Sequence, residues 1–131
     1  MGRESAAPPA LTGVCRPGGP PSLETLDQVW QLADDTLRAH GSGLLAELAW
    51  ATMRSIAWAA GHDAESPVTE ERLRGPSPDR MAAELVACDE RLGQARSRIE
   101  HAQWTGVRDA LRVALSDDGP FWWAAAAGPG Q

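Results

Sequence analysis

The chain has 131 residues and a mass of 13.9 kDa, room for one domain. Eighteen acidic residues against 12 basic ones give a formal charge of -6, which argues against the basic face of a nonspecific nucleic-acid binder. No apolar run approaches the roughly 18–20 residues that span a bilayer, no charged-then-apolar leader opens the chain, and Cys15 and Cys88 make no disulfide framework, so the expectation is a cytoplasmic protein with no membrane span.

Residues 1–21 are mostly Pro, Gly and Ala with few large apolar side chains. Such a segment cannot offset the entropy of ordering and reads as a disordered tail that carries Cys15. A single helical domain is expected over 22–118, followed by an aromatic and Ala-rich tail over 119–131.

The first helix starts after Ser22, an N-cap residue, with Glu24 and Asp27 placed where the helix dipole favours anions. Leu23, Leu26, Trp30, Ala33, Leu37 and His40 alternate spacings of three and four, one stripe of a helix that Gly41 ends. A second helix begins about three residues later, a connection short enough to force an antiparallel hairpin. Between Leu44 and Ala60 only Glu47, Thr52, Arg54 and Ser55 are polar, so this helix is expected at the centre of its bundle.

Residues 62–77 form a charged connector, in which Ser66-Pro67 predicts a short helix running to Arg74. Ser77-Pro78 repeats that start signal. Met81, Leu85, Cys88, Leu92, Ala95, Ile99 and Ala102 then hold a heptad stripe without a miss, which predicts one helix through residue 102. Trp104, Val107, Leu111 and Leu115 make a stripe out of register with it, and the sequence places a turn at Thr105-Gly106. With no alternating β-branched runs, the fold class is all-α, a bundle of three to four main helices with an antiparallel N-terminal hairpin.

Lys, Asn and Tyr are absent, and Ala, Gly, Pro and Arg dominate. These residues have GC-rich codons, so the composition points to a GC-rich bacterial genome rather than to Arg chosen for its chemistry.

Candidate chemistry is sparse. His40, His62 and His101 stand near predicted helix ends, and none belongs to a Glu-x-x-His or His-x-x-x-His pair, the spacings that put two metal ligands on one helical face; no metal and no cofactor are expected. Arg96 and His101 would suit RNA cleavage, with His as acid and base and Arg on the phosphate. Five residues apart on one helix, however, they point roughly 140° away from each other. The acidic pairs Asp34-Asp35, Glu70-Glu71 and Asp117-Asp118 are neighbours that face different ways on a helix, and Cys88 falls on a core position.

The tryptophans say more: six of them, against one Phe and no Tyr. Trp50, Arg54 and Trp58 are spaced i, i+4, i+8, which either buries both indoles or stacks a guanidinium between them on a binding face. Phe121, Trp122 and Trp123 either fold back to cap the bundle, dock on a partner or second copy, or touch a membrane surface. The sequence reading is therefore a non-enzymatic interaction module or accessory subunit, binding a protein partner or a second copy and no nucleic acid directly. A small RNA-cleaving enzyme, or an acidic inhibitor that occupies the nucleic-acid-binding surface of its target, are the alternatives.

Overall fold

The computed structural model describes residues 23–63, 65–72, 75–117 and 119–127. The expected tail over 1–21, with Cys15, lies outside the described residues. The described chain is helical and contains no strand: α1 (Leu23–His40), α2 (Leu44–Ala59), α3 (Pro78–Gly93), α4 (Arg98–Ala114) and the single-turn α5 (Trp122–Ala127).

Gly41 ends α1 with a φ of +68°, the left-handed conformation that a residue with a Cβ adopts at a cost, and its N–H donates to the Leu37 carbonyl. Three residues later α2 begins. It packs against α1 on one side and α4 on the other, so the most apolar of the four long helices is central, as its composition predicts. Leu26, Val29 and Ala33 of α1 meet Ala49, Met53 and Ile56 of α2, and Ala110 and Val113 of α4 complete that core. A second cluster joins Ala51 and Trp58 to Cys88 of α3 and to Val107 and Leu111 of α4.

Two expected boundaries are corrected. The helix expected to run through residue 102 stops at Gly93, and residues 94–97 form a link. Ser97 restarts helix geometry: its Oγ accepts from the Glu100 N–H at 3.1 Å, and the Glu100 carboxylate accepts from the Arg96 N–H at 2.7 Å. Two orphan donors at the start of α4 are thereby satisfied, much as in a capping box. Ile99, expected on the buried stripe, is accordingly 51% exposed.

Thr105-Gly106 is likewise no turn but the middle of α4, where Gly106 is the point of closest approach to α2. A Cβ at this position would lie 2.5 Å from the Leu48 carbonyl oxygen. The missing side chain lets the helices meet backbone to backbone, and Thr52 Oγ1 lies 2.8 Å from the Leu48 carbonyl oxygen and 3.1 Å from that of Gly106.

In place of the short helix expected between Ser66 and Arg74, the described residues form a turn at Pro67–Thr69 followed by Glu70 in the left-handed region at φ +60°, and residues 73–74 lie outside the described residues. The reason is Glu84 of α3, which is fully buried. Its Oε1 accepts from the backbone N–H groups of Val68 and Thr69, and its Oε2 accepts from the Thr69 hydroxyl and from Arg80 at 3.4 Å. A carboxylate with this many donors is compensated for its burial, and the loop takes the shape that presents them.

The aromatic segment after Gly119 is buried. Phe121 stacks on Trp123 with centroids 4.8 Å apart, and Trp122 meets Trp123 edge to face at 5.7 Å. Trp122 is tied at both ends: its backbone N–H donates to Asp109 Oδ2 at 2.8 Å, and its indole N–H donates to Thr52 Oγ1 at 2.8 Å. One Thr hydroxyl therefore joins α2, α4 and α5.

Candidate functional site

The tryptophan–arginine series on α2 does not form a ladder of stacked cations. Trp50 is 54% exposed, whereas Trp58 is wholly buried and its indole N–H has no hydrogen-bond partner. Arg54 turns to Glu65 at 3.9 Å. The guanidinium–ring contacts lie elsewhere: Arg91 over Trp104 at 5.6 Å and Arg112 over Phe121 at 6.0 Å. Of the six aromatic and cationic residues singled out by sequence, Trp50 and Arg54 reach the surface, while Trp58, Phe121, Trp122 and Trp123 are packed inside.

Arg96 and His101 are separated by the new boundary. Arg96 lies in the link before α4, and His101 on the helix itself. The arginine that shares a cavity with His101 is Arg98, three residues away, in a shallow hollow of about 270 Å³ floored by Leu44 and Leu48. His40 ends α1, and among the described residues no group of three His, Cys, Asp or Glu side chains is placed to hold a metal ion.

Buried ionisable groups often mark chemistry. Here their partners are structural. Burial pushes the Asp109 carboxyl up from its ordinary range, against the lowering effect of the Trp122 N–H and Arg108. Its oxygens are taken by that N–H and by Arg108 Nε at 3.1 Å. Glu84 is taken by the loop. The Cys88 thiol, pushed up to about 12 by burial and by the nearby Asp89, donates to the Trp104 carbonyl oxygen at 3.2 Å. A thiol so rarely ionised is a poor nucleophile.

What the fold leaves open is a cleft of about 660 Å³ between the start of α1 and the end of α2. Leu26 and Ile56, both core residues, form its floor; Trp30, Ala57 and Ala60 form its walls; Leu23, 68% exposed, stands at its lip. Glu24 and Asp27, one helical turn apart, and His62 supply its polar rim, and all three are exposed. Its volume falls in the range of ligand-holding pockets, and its composition is theirs: apolar walls with a few polar groups. Among the described residues its lining offers no nucleophile with an adjacent base.

Sequence reasoning missed this site. It assigned Leu23, Leu26 and Trp30 to the core stripe as a group, without asking what covers the first turn of α1. No family model, curated protein or solved structure matches this chain.

Proposed function

We propose that the protein is a non-enzymatic helical interaction module, a cytoplasmic accessory subunit that holds another protein at the cleft between α1 and α2. In this reading the two helices form an antiparallel hairpin, which sets the first turn of α1 beside the last turn of α2. One observation carries the proposal: the core residues Leu26 and Ile56 continue outward to Trp30 and Leu23 with nothing among the described residues to cover them. Apolar surface left open next to a core is what a binding partner buries.

The test is site-specific cross-linking in growing cells. A photoreactive phenylalanine at position 23 is expected to give a discrete adduct with another protein. The same group at Val86, an exposed apolar position on α3 away from the cleft, is expected to give none. Equal adducts from both positions would refute the reading. So would an RNA-cleaving activity that His101→Ala abolishes in a folded protein.

A further inference from the structure

We propose that the cleft receives a basic amphipathic helix, one that presents large apolar side chains on one face and Arg or Lys beside them. The inference rests on the reading of the protein as an interaction module and adds the chemistry of the partner.

Three features of the cleft select this occupant. The first is its form. The trough lies between two helices and opens to solvent, the arrangement into which an amphipathic helix lays residues spaced i, i+3 or i+4 and i+7. Ala57 in the last turn of α2 and Ala60 at its C-cap are small enough for a partner backbone to approach. Trp30 and Leu23 provide the large apolar contacts that anchor such interfaces.

The second is the sign of its rim. Glu24 and Asp27 sit one turn apart on the exposed side of α1, and neither is engaged in an ion pair among the described residues. Among the described residues no Arg lines the cleft. Two carboxylates bordering an apolar floor are complementary to cations that flank an apolar helix face, and they repel an acidic helix or an anionic lipid surface.

The third is the field of the whole chain. A formal charge of -6 attracts a basic segment from a distance before any contact forms. Charge then sets encounter rate and choice of partner, while the apolar floor supplies most of the affinity.

The proposal is tested on the full-length chain with two fluorescein-labelled helical peptides. Both carry the same Leu/Trp face; one is flanked by Lys and Arg, the other by Glu. Fluorescence anisotropy is measured at low and at physiological ionic strength. The basic peptide is expected to bind at least about ten-fold more tightly than the acidic one, and to weaken with salt. The double variant Glu24→Gln/Asp27→Asn, altered only at exposed positions, is expected to stay folded with a slightly lower melting temperature, because it gives up two charges that the helix dipole favours. It should lose about five-fold in affinity for the basic peptide and most of the salt dependence.

Equal affinity for both peptides, or an unchanged double variant, would overturn the assignment of a basic partner and leave the interaction reading standing on its cross-link. Absence of binding by either peptide would overturn it as well. A cross-link from position 23 into residues 1–21 would assign the cleft to the chain's own beginning. A mass in sedimentation that rises with concentration and is lost in Leu23→Asp would assign it to a second copy. Either result would overturn the proposal.

Discussion

Replacing Gly106 by Ala is expected to destabilise this protein, although Ala is the better helix former. Gly106 lies in the middle of α4, and the new Cβ would stand 2.5 Å from the Leu48 carbonyl oxygen, 3.0 Å from Ala51 Cβ and 3.2 Å from Thr52 Oγ1. The nearest of these atoms is backbone, which no rotamer change can move, so α2 and α4 must separate. Helix propensity alone would favour the substitution by about 1 kcal/mol. Overpacking costs roughly 1–3 kcal/mol, and an overlap with backbone belongs at the upper end. Separation also lengthens the contact between Thr52 and the Gly106 carbonyl and disturbs the hydroxyl that holds the Trp122 indole. The balance is a net loss of about 2 kcal/mol, or a melting temperature lowered by roughly 8–16 °C for a domain of this size. Urea unfolding followed by circular dichroism measures it. Gly93→Ala is the control: nothing lies within 4 Å of its Cβ position, so propensity should act alone and stabilise by up to about 1 kcal/mol. A Gly106→Ala protein as stable as wild type, or more so, would refute the close approach of the two helices.

Other expectations follow from the buried groups. Because burial raises the Asp109 carboxyl in the folded state, its favourable contribution is full below the ordinary value of 3.8 and is lost as pH rises through the folded value. Asp109→Asn removes that titration and keeps an oxygen for the Trp122 N–H; wild-type stability relative to the variant should fall as pH rises above the ordinary carboxylate range, and a difference constant with pH would contradict the assignment. With Cys88 near 12, its thiolate fraction at about pH 8 is ~10⁻⁴. A Cys15→Ser chain should therefore react with Ellman's reagent only when urea unfolds it, and rapid reaction of the native form would show that the thiol is accessible. Truncation after Gly119 removes Phe121, Trp122 and Trp123, each worth roughly 1.5–3 kcal/mol when buried, a total near the whole stability of a small domain. The truncated chain is expected to lose cooperative thermal unfolding, and a wild-type melt would refute the capping role.

The first half of the fold was legible because its signals are local. Gly41 and the following short link mark the end of α1 and the start of α2, and Ser77 caps α3 by accepting from the Arg80 N–H. The boundary between α3 and α4 was hidden by a coincidence of phase. A link of four residues carries the apolar spacing from Leu92 to Ile99 unbroken, although the side chains on either side belong to different helices. Ser97 and Glu100, spaced as an N-cap and its third helical residue, were the competing signal. Gly106 was read for its backbone freedom, when its role is the absence of a side chain; only the neighbouring helix reveals that. Glu84 shows the same limit. In sequence it is one charge among several on α3, and its burial follows from loop amides 15 and 16 residues earlier. The cleft was illegible for a related reason, since a stripe identifies which residues face inward but not whether the neighbouring helix is long enough to cover them.

The hydroxyl of Thr52 has a kinetic consequence. It contacts residues 54 and 70 positions away along the chain, long separations for a helical protein. The pairing of α1 with α2 closes a loop of three residues and can form early. The seam between α2 and α4 must first bring together segments with the whole of α3 between them, and the entropy of that closure comes before any contact rewards it. Folding speed should therefore be governed by the seam: substitutions at Gly106 or Thr52 would slow refolding in stopped-flow experiments, while substitutions in the cleft wall would chiefly change how fast the native protein unfolds.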